Sequence, residues 1–261
     1  MVKIKIGCSG LGGKGEAISN LEIYAKSGIG ACELAFTYGV YLDKDSATEI
    51  GLKAKELGIY LSIHAPYYIN LNSLDKTKIE SSKKRILDCC EIGHYLSAGS
   101  KHKTSIVFHA GFYSKMSPEE TFENIKVAII ELVEEVKKRK LNVELCPEVM
   151  GKINVFGSIE EISRLVKETS CACCIDFAHI LARYDMNKFD LVKKELGRLD
   201  HWHCHFSGII YGDKGEKSHK QTEKKEWSDL LKFLKIFDKD IVVISEAPSP
   251  VEDAIAANKM L

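Results

Sequence analysis

Short runs rich in β-branched and aromatic residues alternate along this chain with longer stretches of helical period. Candidate strands cover residues 2–7, 31–36, 60–64, 104–109, 142–148, 171–176, 201–206 and 241–246. The clearest helix carries Phe122, Ile125, Ile129, Leu132, Val133 and Val136 at i, i+3, i+4 spacing. Ser117-Pro118-Glu119-Glu120 introduces it with an N-cap, a proline at the first helical position and a capping-box glutamate. Ser158-Ile159-Glu160-Glu161 repeats the capping-box signal.

Eight strands alternating with about eight helices, at roughly 33 residues per unit, predict a single α/β domain over residues 1–261, a TIM (β/α)8 barrel. A doubly wound open sheet is the other arrangement of such alternation, but it usually stops at about five to seven strands. No sequence repeat accompanies the count. Residues 208–226 lack a clear apolar period and read as a long loop after the seventh strand, and loops of that length in a compact domain are usually functional.

Charge changes the picture in one respect. Lys and Arg number 37 and Asp and Glu 37, which excludes a protein that holds nucleic acid by bulk charge and leaves room only for a local basic surface. No apolar run approaches the ~18 residues of a membrane span, and Met1-Val2-Lys3 opens into a strand without a signal-peptide core, so a cytoplasmic protein with no membrane partner is expected. The 9 cysteines then read as small buried hydrophobes in a reducing compartment rather than as disulfides. Neither Cys89-Cys90 nor Cys171-Ala172-Cys173-Cys174 has zinc-ribbon spacing.

In a TIM barrel the chemistry lies at the C-terminal ends of the strands. The third strand ends in His64, the fourth in His109, the fifth in Glu148, the sixth in Asp176 with His179 three residues on, and the eighth in Glu246. The seventh carries His203 and His205, and His219 follows in the long loop. Singly, each has an ordinary structural reading. Together they place six histidines (64, 109, 179, 203, 205 and 219) and three carboxylates on one rim, where desolvation and repulsion would cost several kcal/mol without a cation. Imidazole and carboxylate without thiolate suit catalytic Zn²⁺, Mn²⁺ or Fe²⁺, and so many ligands fit two or three ions. His94 and His102 read as surface residues, and His201 starts its strand at the opposite end. The glycine-rich Ser9–Gly15 turn matches neither Rossmann nor Walker spacing; it is either a phosphate cradle or a tight βα turn.

His64-Ala65-Pro66-Tyr67-Tyr68-Ile69-Asn70-Leu71, Val107-Phe108-His109-Ala110-Gly111, Pro147-Glu148-Val149-Met150-Gly151, Ile175-Asp176-Phe177-Ala178-His179 and Ser245-Glu246-Ala247-Pro248 resemble, in order, successive motifs of the endonuclease IV family. The resemblance runs over essentially the whole chain. It implies a TIM-barrel enzyme with a trinuclear zinc site that cleaves double-stranded DNA 5′ to abasic sites in base excision repair, with a zinc-activated hydroxide as nucleophile, acting as a monomer. Carried over by position, His64, His109 and Glu148 hold one zinc. Glu148, Asp176, a seventh-strand histidine and Glu246 hold the second, and His179 and His219 belong to the third. Glu148 is also the residue that orients the nucleophile. Tyr67 and Tyr68 match the positions that enter DNA at the lesion.

Three departures from the family pattern stand out. The usual Asp-Arg-His is here Glu216-Lys217-Ser218-His219 with Lys217 at the aspartate position, which leaves Glu216 as its substitute or the third ion weakly held. Either His203 or His205 can be the seventh-strand ligand: alignment on Ser207 favours His203, while alternation lets both point inward. Tyr41 stands in the second DNA-entering segment, where the family often has arginine. Lys214, Lys217, Lys220, Lys224 and Lys225 are the candidate phosphate contacts. Two other functions fit the residues: a sugar isomerase or epimerase using one metal on Glu148, Asp176, a seventh-strand histidine and Glu246, and a catalytically weakened metal- or DNA-binding protein.

Overall fold

Parallel strands covered on both faces need βα crossovers, and this chain supplies one after each strand. The computed structural model describes residues 3–261. Its strands are β1 (Lys3–Ser9), β2 (Ala31–Ala35), β3 (Tyr60–His64), β4 (Thr104–Phe108), β5 (Val143–Pro147), β6 (Cys174–Asp176), β7 (His201–Phe206), β8 (Gly208–Gly212), β9 (Gly215–Lys220) and β10 (Asp240–Ser245). The helices are α1 (Ala17–Lys26), α2 (Lys44–Leu57), α3 (Lys76–Leu96), α4 (Pro118–Lys138), α5 (Ile159–Thr169), α6 (Phe177–Tyr184), α7 (Phe189–Leu196), α8 (Lys224–Leu234) and α9 (Pro250–Asn258). Val2, the first residue of the expected first strand, lies outside the described residues.

Eight strands run in the order β5-β4-β3-β2-β1-β10-β7-β6, all parallel. A parallel bridge from Glu148 to Cys174, with Val149 N–H donating to the Cys174 carbonyl at 3.0 Å, joins the two ends. The result is a TIM (β/α)8 barrel. Its helices start where the sequence signals them. Ser117 accepts from the Glu120 N–H ahead of α4, with Pro118 in the first turn, and both arms of the Ser158–Glu161 capping box form.

Two expectations are corrected. The stretch 208–226 is not an irregular loop. Gly208–Lys220 forms the antiparallel hairpin β8–β9, and α8 begins at Lys224. Its strands are short and only partly buried, so they carry no sustained apolar alternation to read. Ile209 is buried, Ile210 is exposed, and a bulge follows between Ile210 and Tyr211. The span between β6 and β7 also holds two short helices, α6 and α7, instead of one.

All 9 cysteines are buried and free, packed as small apolar groups. The apolar core lies between barrel and helices, where Trp202 packs on Phe237 and Trp227 on Phe206. The barrel interior is different. TIM barrels usually fill it with branched aliphatic residues. Here contacts define three polar tiers. At the base Tyr60, Ser105, Glu144 and His201 are bonded together; in the middle Glu33 touches Ser62, His203 and His205; at the C-terminal rim are His64, His109, Glu148, Asp176 and Glu246.

Candidate metal centre

Strand alternation aims every second side chain inward, so the last inward residue of each strand reaches the rim. His64 and Asp176 end β3 and β6, while His109, Glu148 and Glu246 stand one residue beyond β4, β5 and β10. Ligand-capable atoms converge in four groups: His64, His109 and Glu148; Glu148, Asp176, His205 and Glu246; His179, Glu216 and His219; and, deeper in the barrel, Cys174, His203 and His205. Glu148 joins the first two.

Spacing distinguishes ligand pairs from hydrogen bonds. Two atoms each about 2.0–2.1 Å from a tetrahedral ion lie about 3.3 Å apart. Glu148 Oε2 is 3.4 Å from His64 Nε2 and 3.1 Å from His109 Nε2. Its Oε1 is 3.3 Å from His205 Nδ1. His205 Nδ1 lies 3.5 Å from Glu246 Oε1, and His179 Nε2 lies 3.3 Å from Glu216 Oε2. Both Glu148 oxygens, Asp176 Oδ2 and His205 Nδ1 are buried without a hydrogen-bond partner. Orphaned buried atoms of this kind are costly unless a cation satisfies them.

The far side of each ring supports the same reading, since a metal-binding imidazole typically donates its other N–H to a fixed acceptor. His64 Nδ1–H donates to the Ala65 carbonyl at 2.8 Å and His179 Nδ1–H to the Val149 carbonyl at 3.0 Å. His219 Nδ1 pairs with Ser207 Oγ at 2.6 Å. Each leaves Nε2 for the centre. His205 is held the other way, its Nε2 lying 2.8 Å from Glu33 Oε1.

Electrostatics agree. Burial pushes the Glu148 carboxyl up, but His109, His179 and His205 outweigh it and hold it well below the carboxylate range. Burial, with Glu148 and Glu246 nearby, raises Asp176 to about 6. His64 rises to about 9 against the opposing effect of burial, through Glu148; His179 rises to about 10 against burial through Asp176, Glu148 and Glu216. The carboxylates thus favour the protonated forms of His64 and His179, and a divalent cation would displace those protons.

The seventh-strand alternatives separate geometrically. His205 reaches the rim, whereas His203 lies a tier lower, its Nε2 2.9 Å from Glu33 Oε2. The hairpin delivers Glu216 and His219. It docks through two glycines, with Gly215 at φ +86 against the Gly151 carbonyl and Glu216 N–H donating to that carbonyl at 3.3 Å. A Cβ on Gly151 would meet Glu216 Cβ at 2.8 Å and a His179 ring carbon at 3.0 Å. Lys217 is exposed and turned back over Gly212, away from the third group. Lys220 is paired with Glu223 and Glu226.

One aromatic residue stands directly at the site. Tyr67 lies 5.9 Å from the His64 ring and 6.0 Å from the His109 ring, and Tyr68 beside it is exposed. Tyr41 packs edge-on against Phe36 and donates its hydroxyl to the Gly12 carbonyl, so the freely presented ring of that loop is Tyr38, 86% exposed. Tyr38 and Glu33 went unnoticed in the sequence. The signal for Glu33 was a charged residue inside the apolar run Ala31-Cys32-Glu33-Leu34-Ala35. The Ser9–Gly15 turn is a stitched βα connection. Gly10, Leu11 and Gly12 carbonyls accept from Tyr24, Asn20 and Tyr41, and the acidic Glu16 stands at the α1 N-cap where an anion would have to bind. His94 is half-buried and accepts from Asn142 N–H, His102 is exposed, and His201 pairs with Glu144 at the barrel base.

Among the described residues no helix is long and apolar enough to cross a membrane. Residues 21–260 match a family model described as a xylose isomerase-like TIM barrel. A Methanocaldococcus jannaschii protein described as uncharacterized is 38% identical over 254 residues, covering 92% of this chain and 89% of that one. A probable endonuclease 4 of Mycoplasmopsis pulmonis is 33% identical over 140 residues; the match covers 51% of this chain and 47% of that protein, so the chain spans about half that relative's length. Among solved structures, D-psicose 3-epimerase from Clostridium cellulolyticum H10 superposes with a TM-score of 0.71 over 98% of this chain and 97% of that one, at 15% identity, a likeness of fold alone. The chain belongs to the xylose isomerase-like TIM barrel family.

Proposed function

We propose that this protein is a metal-dependent phosphodiesterase that cleaves double-stranded DNA 5′ to abasic sites. The observation that carries the reading is the presence of two ligand groups, His64–His109–Glu148 and His179–Glu216–His219, beside the four-residue group that a one-metal isomerase needs. In-line displacement at phosphorus develops charge on both the attacking and the leaving oxygen, and adjacent ions meet both demands. Divalent ions held by these residues would supply a water of pKa near 7 and neutralise phosphate oxygens.

The protein's own residues do the rest. Glu148, shared by two ligand groups, ties them into one unit and would orient the nucleophile. His64 and His179 are locked in their tautomers by the Ala65 and Val149 carbonyls, and Ser207 fixes the orientation of the His219 ring. Tyr67 walls the site over His64 and His109, and with Tyr68 and Tyr38 offers ring surface to fill a gap in the base stack. Extruding a nucleotide costs least where no base is paired. Lys217, exposed on the hairpin, serves as a phosphate contact.

A second reading, sugar epimerisation, is favoured by one observation: Glu148, Asp176, His205 and Glu246 form a complete site by themselves. The two glutamates would then act as acid and base on a single-metal substrate. The metal-loaded protein is assayed on a duplex with one tetrahydrofuran abasic analogue and, in parallel, on ketohexoses. Incision leaving a 3′-hydroxyl, with sugars unchanged, supports the nuclease. Sugar conversion without incision supports the epimerase.

A further inference from the structure

His64, His179 and His219 are anchored through Nδ1 to a carbonyl or hydroxyl, but His205 is inverted and meets a buried carboxylate. Glu33 is fully buried in the middle of β2, one tier below the rim, and is not a member of any ligand group. Its Oε2 accepts from Ser62 Oγ at 2.8 Å and lies 2.9 Å from His203 Nε2, while its Oε1 lies 2.8 Å from His205 Nε2. The His203 contact is a hydrogen bond and the His205 contact an ion pair not aligned as a hydrogen bond, and both are shorter than the 3.1–3.5 Å pairs at the rim.

We propose that Glu33 is a positioning residue that fixes the proton of His205 on Nε2, so that Nδ1 presents its lone pair to the ion shared by Glu148, Asp176 and Glu246. A carboxylate has no proton to donate, so both imidazoles facing it must present N–H. His205 then has one orientation and one tautomer, and His203 serves as the second strut of the clamp, not as a ligand. An amide at position 33 cannot do this. Its NH₂ would face an imidazole N–H, leaving one ring to flip its tautomer or turn away. The proposal rests on the metal-centre reading and adds a residue to it. Removing such an outer partner typically lowers metal affinity about 10- to 100-fold.

The test uses zinc titration of the full chain and ¹⁵N spectra of its histidines. In the zinc-loaded wild type, His205 should show a protonated Nε2 and a ligated Nδ1. Glu33→Gln should bind the His205-dependent zinc about 10- to 100-fold more weakly while the His179–Glu216–His219 site keeps its affinity. Ser62→Ala, which removes one bond to Glu33 and leaves the carboxylate in place, should cause a smaller loss and provides a milder variant if the glutamine form does not fold. A ligated Nε2 on His205, or undiminished zinc affinity in folded Glu33→Gln, overturns the proposal. A wild-type chain that binds no metal would instead overturn the metal-centre reading itself.

Discussion

Glu148→Gln removes one charge from the residue shared by two ligand groups. The side chain keeps its volume and is 1% exposed, so packing changes little. Each carboxylate oxygen faces two imidazole nitrogens at 3.1–3.4 Å, and the substitution turns one oxygen into an NH₂ that cannot bind a cation and leaves the other a neutral carbonyl, a poorer ligand. Two ions should be weakened together. An ion present at a hundred times its dissociation constant stabilises the fold by about 2.7 kcal/mol, so two contribute about 5 kcal/mol. For a chain of this size about 1 kcal/mol moves the midpoint by roughly 2–4 °C, which makes the zinc-induced rise at stake about 10–20 °C. The assay is thermal unfolding with and without zinc, with bound metal counted by emission spectroscopy. Comparing the zinc-induced rise within each variant cancels the effect of the substitution on the metal-free protein. Glu148→Gln should lose most of that rise and two of the ions, whereas Glu216→Gln should lose only the third ion's share. An undiminished rise and metal count in Glu148→Gln would refute the bridging role.

The remaining predictions concern the hairpin, the barrel base and the basic surface. Gly151→Ala should displace Glu216 from His179 and lower occupancy of the third ion about tenfold or more while the Glu148 ions stay, measured by metal counting. At the base, burial pushes Glu144 up but His201 holds it below the usual 4.5, and Glu144 in turn lifts His201 above 6.5. Their mutual stabilisation is therefore full between about pH 4.5 and 6.5. It fades as pH rises through the raised imidazole value or falls through the lowered carboxylate one. His201 is half exposed, so His201→Ala should cost no more than about 1 kcal/mol near pH 6 and less at pH 9, read from urea midpoints. Lys217→Ala should weaken DNA binding and flatten its salt dependence by about one phosphate contact, with Lys220→Ala doing less because Lys220 is already paired with Glu223 and Glu226.

The strand-end residues were legible because a parallel barrel makes position on a strand equivalent to position on the rim. His64, His109, Glu148, Asp176 and Glu246 could be placed together by counting. Glu216 was recognised only as a possible substitute, since its approach to His179 depends on Gly151 and Gly215 packing backbone to backbone across more than 60 residues of chain. His203 and His205 share one face of β7, so alternation alone could not choose between them; their depths in the barrel, relative to Glu33 on β2, do. The hairpin escaped because its partly exposed strands carry turn glycines and lysines rather than an apolar stripe. Tyr38 and Tyr41 flank the same turn, and only the packing of Tyr41 on Phe36 shows which ring is presented.

The central claim is that the joined ligand groups form one hydrolytic centre acting on DNA. Incision of the tetrahydrofuran-containing duplex by metal-loaded wild type and by His109→Ala, with metal content measured on the same samples, tests it most directly. Catalytic ions are typically held by three protein ligands, and His109 is one of the three around the first site. That analogue has no aldehyde, so β-elimination cannot imitate hydrolysis. The account predicts strand cleavage 5′ to the analogue by the wild type, and loss of both cleavage and the first ion in His109→Ala. A wild-type protein with its full complement of metal that leaves the duplex intact would contradict it.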